Sequence, residues 1–260
     1  IGANREQSAR ATHNQNIGRN FNFSFNFNRF ASPGAYLAQE TSHNNLALTS
    51  RYEAPSGKYG MSVMFLFNSV RVQDNGGSIG TDIFTDSSFT TASLIAVELE
   101  NAKTFMRDFQ IVVRQELRQG KSVSFQLNDT TRAQRFFSDW VMYHELQIKN
   151  LKYEYADRDP QADYYGSFFI DADSMAFNAH QKQWGNRLGI EYGKILSADS
   201  SGAKYRNFLI DAYIEQQLYD VSNGRINEAF SGLSANIRIG DHPLSGKPFM
   251  YEAKANYQLL

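Results

Sequence analysis

The chain has 260 residues, a net charge of −1 and no cysteine, which excludes disulfides, thiolate metal sites and thiol catalysis. The balanced charge, with an isoelectric point near 6.6, gives no global sign of nucleic-acid binding, which usually shows as a basic face or a high isoelectric point. Aromatic residues make up 14% of the chain, yet the mean hydropathy is −0.49 and no apolar run approaches the ~18 residues of a membrane helix. Strands with one apolar and one polar face fit both facts, because their hydropathy averages out along the segment.

In chain order the pattern has a period of two residues almost throughout. From about Arg19 to Phe30, Phe21, Phe23, Phe25 and Phe27 alternate with Asn22, Ser24, Asn26 and Asn28. Leu46, Leu48 and Tyr52 then oppose Asn45, Thr49, Arg51 and Glu53, and Tyr59, Met61, Val63, Phe65 and Phe67 oppose Gly60, Ser62 and Asn68. The polar interval Gln73 to Ser88 reads as a long loop around Asp74-Asn75-Gly76-Gly77. A strand is then predicted with Ile95, Val97 and Leu99 opposite Glu98 and Glu100. Phe105, Phe109, Ile111, Val113 and Leu117 oppose Asp108, Gln110, Arg114 and Glu116; a turn is predicted at Arg118-Gln119-Gly120-Lys121, followed by a separate strand with Val123, Phe125 and Leu127.

Between Ser138 and Tyr155 the alternation changes phase: Trp140, Met142, Leu146 and Ile148 share one face, then Leu151, Tyr153 and Tyr155. Asp157 to Gly166, with Pro160, reads as a loop. Leu188, Ile190 and Tyr192 form a further strand, then Phe208, Ile210, Ala212, Ile214 and Leu218 against Asp211, Tyr213 and Glu215. Leu233, Ala235, Ile237 and Ile239 alternate with Ser234, Asn236 and Arg238, and Phe249, Tyr251, Ala253, Ala255, Tyr257 and Leu259 with Glu252, Lys254, Asn256 and Gln258.

About a dozen strands result, many alternating for the roughly 9–11 residues that a tilted strand needs to cross a hydrocarbon layer. A face such as Asn22, Ser24, Asn26, Asn28 is costly in a dry core, where an unpartnered amide loses about 1–3 kcal/mol. Water inside a barrel removes that cost, and lipid accepts the phenylalanines. The expected fold is therefore all-β: a single domain over residues 1–260, a transmembrane antiparallel up-and-down β-barrel with short turns on one side and long loops on the other. Tyr52, Tyr59, Tyr153, Tyr155, Tyr192 and Tyr257 near strand ends fit an interfacial girdle. A soluble all-β sandwich also alternates, but a dozen Phe-rich faces would overfill its core.

Several runs resemble a known family. Thr12-His13-Asn14-Gln15-Asn16-Ile17-Gly18, Gly34-Ala35-Tyr36-Leu37-Ala38-Gln39 before Ser42-His43-Asn44-Asn45, Phe67-Asn68-Ser69-Val70-Arg71-Val72-Gln73 and Glu98-Leu99-Glu100-Asn101-Ala102-Lys103 are similar to the putative porin family of Bacteroidetes-type outer membranes. The resemblance implies an integral outer-membrane barrel with a channel role and brings no catalytic set. Members of that family are longer, and the start at Ile1 and the end at Tyr257-Gln258-Leu259-Leu260, without a terminal aromatic, point to a part of a larger barrel.

The lumen-lining candidates are the polar-face charges Arg51, Glu53, Glu98, Asp108, Arg114, Glu116, Asp211, Glu215, Arg238, Glu252 and Lys254. The lipid-facing set is Phe21, Phe23, Phe25, Phe27, Phe65, Phe67, Phe109, Ile111, Val113, Ile210, Ile214 and Ile237. Both signs of charge occur among the first set, which implies no strong ion preference. No metal site, cofactor or enzymatic activity is expected: His13, His43, His144, His180 and His242 are scattered, and Gly232-Leu233-Ser234-Ala235-Asn236 fails the nucleophile-elbow pattern at its last position. The leading functional expectation is passive diffusion of small hydrophilic solutes through an outer-membrane channel, with lipid, solutes and lipoproteins or other barrel proteins as partners and no nucleic acid. The alternatives are a barrel subunit with a docking role in a larger outer-membrane assembly, and a soluble all-β binding domain.

Overall fold

The computed structural model describes residues 5–80, 91–126, 132–166, 175–193, 195–198, 204–206, 208–223, 227–241 and 249–259. Twelve strands are described: β1 (Gln7–Ile17), β2 (Phe21–Ser32), β3 (Thr41–Glu53), β4 (Tyr59–Gln73), β5 (Lys103–Gln126), β6 (Arg132–Asp157), β7 (Met175–Tyr192), β8 (Ile195–Ala198), β9 (Lys204–Arg206), β10 (Phe208–Ser222), β11 (Asn227–Asp241) and β12 (Phe249–Leu259). Ten of them form one antiparallel sheet in the order β1-β2-β3-β4-β5-β6-β7-β10-β11-β12, and β8 and β9 pair as a small hairpin inside the β7–β10 connection. Each strand of the large sheet pairs with its nearest predecessor in that order, so the chain meanders up and down without a crossover. The helical content of the described residues is one turn at α1 (Ala162–Tyr165) and a 3-10 turn at Ala92–Leu94.

Alternation explains most of these elements, since one residue in two pairs its apolar side chain with those of neighbouring strands. β1 is the element without an apolar signature: all its residues are exposed, and it is held by continuous pairing with β2 from Gln7↔Ala31 to Ile17↔Phe21. Tight connections close one end of the sheet, at residues 18–20 and 54–58, where Gly18 and Gly57 both take a φ of 70°. At the opposite end lie the longer connections β2–β3, β4–β5 and β6–β7.

Three expectations are corrected. Residues 118–121 are not a turn; β5 runs on through them for 24 residues and includes the predicted strand at Val123 and Phe125, while Leu127 lies outside the described residues. Gly120 marks a register break in the β5–β6 pairing, where a Cβ would stand 1.8 Å from the Phe137 carbonyl oxygen. Its glycine serves a close backbone approach at a bulge rather than a chain reversal.

The second correction concerns Glu98 and its neighbours. Ile95, Val97 and Leu99 do alternate, and they are buried, but the segment never joins the sheet. It folds against the first part of its own loop: Ile79 N–H donates to Ala96 O, Glu98 N–H to Gly77 O, and Leu99 N–H to Asn75 O. An extended loop strand packing alternate side chains inward gives the same periodicity as a sheet strand.

The third correction concerns Tyr153 and Tyr155: β6 pairs regularly with β5 and β7 from Trp140 to Ala156, so the phase change read in the sequence is a change of face. The apolar residues simply move to the other face near the loop end. Tyr153 and Tyr155 therefore point away from the face that carries Tyr52, Tyr59 and Tyr192, and leave the predicted girdle. Tyr155 meets Tyr165 of α1, with which it shares a hydrogen bond.

The loop end is consolidated by packing between connections. Asn75 Nδ2 donates to Leu37 O, joining the β4–β5 and β2–β3 connections, and the Thr104 hydroxyl donates to Asp74 Oδ2 at 2.6 Å. Asp157, fully buried, accepts from the Tyr165 hydroxyl at 2.9 Å and from Asp159 N–H at 3.1 Å. Burial, with the bonds to Tyr155 and Asp157, holds the Tyr165 phenol well above its ordinary value. A raised value means the neutral phenol stabilises the loop below the unfolded phenol's pKa of about 10, and that this contribution is lost as pH rises toward the folded value. Tyr165→Phe is expected to cost about 1–2 kcal/mol locally by leaving Asp157 short of a donor. Amide exchange at Asp159 should be faster in this variant than in the unmodified chain when both are measured at neutral pH.

Candidate functional site

Continuous register decides which residues share a face, because paired residues in an antiparallel sheet project to the same side. One row reads Asn22, Arg51, Ser62, Arg114, Glu145, Arg187, Glu215 and Ser234 across β2 to β7, β10 and β11. The next row toward the turn end contains Glu53, Gly60, Glu116, Tyr143, Gly189, Tyr213 and Asn236, and the row beyond it Arg118, Val141, Glu191, Asp211 and Arg238.

These three rows hold a continuous ion-pair ladder. Arg51 faces Glu53 at 3.7 Å, and Glu53 meets Arg118 at 3.1 Å. Arg118 and Arg114 both bind Glu116 at 2.8 Å. Arg114 also reaches Glu191 at 2.7 Å and Glu145 at 3.7 Å, and Arg187 bridges Glu145 at 3.4 Å and Glu215 at 3.3 Å. Tyrosines fill the spaces between the ions. Tyr143 donates to Asp211 at 2.9 Å beneath the Arg114 guanidinium, 4.0 Å from its ring centre, and Tyr213 lies beneath Arg187 at 4.6 Å.

Glycines make this crowding feasible. A Cβ on Gly189 would lie 2.4 Å from the Tyr143 ring, and one on Gly60 2.8 Å from the Arg118 guanidinium. Gly189→Ala is expected to push Tyr143 off Asp211 and to destabilise the chain by about 1–3 kcal/mol through overpacking. Denaturant unfolding measures the loss, and Tyr143→Phe should cost less, because it keeps the ring and removes only the hydroxyl.

The opposite face is apolar. Phe21, Phe23, Phe25, Phe27, Phe65, Phe67, Phe109, Ile111, Val113, Ile210, Ile214 and Ile237 all occupy it, together with Ile148, Trp184, Leu188 and Ile190. The usual distribution of a water-soluble protein is inverted. Leu117, Leu188 and Ile214 are 60%, 58% and 56% exposed, while the side chains of Arg118 and Glu215 are only 13% and 12% exposed. The apolar zone also crosses the sheet at a slant. On β2 to β5 it includes the row Phe27, Leu46, Phe67, Phe109, but that row continues as Asn150, Lys182 and Asp220. At the turn end it extends instead to Trp140, Tyr192, Ile210 and Ile239, where Trp140 and Tyr192 stack at 4.4 Å.

Of the charges singled out by sequence, Arg51, Glu53, Asp108, Arg114, Glu116, Asp211, Glu215 and Arg238 share the ladder face. Glu252 and Lys254 pair in register with Arg238 and Asn236, but their side chains lie outside the described residues. Glu98 is off the sheet, in the β4–β5 connection, because its segment bonds to residues 75–79. Sequence reasoning missed Arg118, Glu145, Arg187 and Glu191, four members of the ladder. Arg118 was hidden by the predicted turn. The other three sit on strands whose apolar partners were read without their polar alternates, and Tyr143 was missed with them, whereas Tyr213 was read on the polar face beside Asp211 and Glu215.

A meandering antiparallel sheet that exposes its apolar face and holds half-buried ion pairs on the other defines an all-β up-and-down protein of the porin-barrel class. A family model described as "Putative porin" matches residues 1–257. The chain belongs to that family. No curated protein matches it.

Proposed function

We propose that the sheet closes as an outer-membrane barrel and conducts small hydrophilic solutes by passive diffusion, with the ladder face lining the lumen and the apolar face meeting lipid. The carrying observation is the inversion of burial: exposed Leu, Ile and Trp beside half-buried Phe on one face, paired Arg and Glu on the other. In water such a surface would aggregate, whereas in lipid it is the stable arrangement. The slant of the apolar zone across hydrogen-bonded rows supports the reading, because strands tilted in a slab of fixed thickness cross it at successively shifted positions. The exposed Leu and Ile face argues against a soluble binding domain.

In this reading Arg51, Glu53, Asp108, Arg114, Glu116, Asp211, Glu215 and Arg238 line the lumen. The longer connections β2–β3, β4–β5 and β6–β7 face outward from the cell and the tight turns face inward, as in bacterial barrels. Cations and anions mix on the ladder, so transport is governed by size and by the transverse field between Arg and Glu rather than by net charge. Planar-bilayer recording of the full-length protein tests this: discrete conductance steps are expected, and a folded, inserted protein that never conducts would exclude diffusion. In that case the barrel would be a docking subunit.

A further inference from the structure

We propose that the apolar face carries a binding site for the phosphate of an anionic lipid, at the border between its phenylalanines and the loop end. The inference rests on the membrane reading above.

The row Phe27, Leu46, Phe67, Phe109 is the last apolar row on β2 to β5. The next row on the same face, one strand repeat of two residues or about 7 Å further toward the loops, is Arg29, Asn44, Ser69, Arg107 and Lys152. The row after that holds Ser42, Arg71, Phe105 and Glu154. The small side chain of Ser42 lies between these cations, and an open recess of about 720 Å³ results. Arg71 and Arg107 both lie over the Phe105 ring, 5.4 and 5.2 Å from its centre, which pre-orders both guanidiniums.

The recess is lined by five cations, Arg29, Arg71, Lys103, Arg107 and Lys152, against the carboxylates Glu40 and Glu154. Glu154 is already bound to Lys152 at 2.6 Å. Among the described residues no ion pair engages Arg29, Arg71 or Arg107, unlike the ladder arginines of the opposite face. Three arginines held ready beside a lipid-facing aromatic row suit an amphiphile whose phosphate meets the guanidiniums and whose acyl chains lie over Phe27, Leu46, Phe67 and Phe109. A free phosphate would use the cations and leave the aromatic row without a role, so the lipid is the favoured source.

The test reconstitutes the full-length protein in phosphatidylcholine nanodiscs doped with diphosphoryl lipid A and counts bound lipid by native mass spectrometry. Retention of lipid A over phosphatidylcholine is expected. Removing one arginine should weaken it about five-fold, and Arg71→Gln with Arg107→Gln about thirty-fold. Lys58→Gln, which removes one charge at the opposite end of the sheet, should leave retention unchanged. Arg29→Gln serves where the double variant folds poorly. Equal retention of dephosphorylated lipid A, full competition by millimolar inorganic phosphate, or unchanged retention in the arginine variants would each overturn the proposal. A protein that stays folded and monodisperse without detergent would instead overturn the membrane reading beneath it.

Discussion

Arginine at Ile148 is expected to destabilise the chain in lipid vesicles by about 2–4 kcal/mol, the cost of a cation on the lipid side at mid-depth. Arginine at Gln147, one residue earlier on β6, should cost under about 1 kcal/mol. Ile148 pairs with Ile111 and Trp184 in the middle of the apolar zone. Gln147 projects to the ladder face beside Gly185, where a guanidinium finds water and Glu145. Two neighbouring residues with opposite tolerance leave no room for an explanation by local strand propensity. Equilibrium urea unfolding in vesicles measures both, and equal costs would remove the assignment of the two faces.

Arg114→Leu is expected to be the most damaging substitution on the ladder, at about 2–3 kcal/mol. Loss of one partner of a buried pair costs about 3–5 kcal/mol, and we reduce that figure because the Arg114 side chain is 25% exposed. The reason is its position. Glu116 keeps Arg118 and Glu145 keeps Arg187, but Glu191 loses the cation it touches at 2.7 Å. Glu191→Gln in the Arg114→Leu background should therefore recover part of the loss, a coupling of about 0.5–3 kcal/mol. Arg114→Lys should rescue poorly, because an ammonium on a single stem does not span Glu116 and Glu191 as a guanidinium fork does. In bilayer recordings the Leu variant should shift reversal potentials toward cation preference, since it strips a positive charge and leaves three carboxylates in place.

The alternation at Phe21–Asn28 was enough to place β2, its apolar face and its polar face, and the same held for β3, β4, β10 and β11. Such strands are legible because side-chain period and strand geometry coincide locally. β1 was not, since all its residues are exposed and its strand exists only through pairing with β2. Ile95–Leu99 misled for the converse reason: the segment alternates but spends its backbone hydrogen bonds inside a loop. Gly120 looked like a turn residue, and only the partner strand reveals the close approach to Phe137 that demands glycine there.

The candidate site divides in the same way. Sequence by itself determined the two-faced strands, the fold class, the family and most of the charges that share the ladder face, because each follows from residues adjacent in the chain. It could not determine that Arg114 meets Glu191 or that Arg187 joins Glu145 to Glu215, because those pairs depend on register between strands. Nor could it assign Arg29, Arg71 and Arg107 to one recess. Tertiary structure decided these points, since a shift of one residue in any pairing would have sent the same charges to the opposite face.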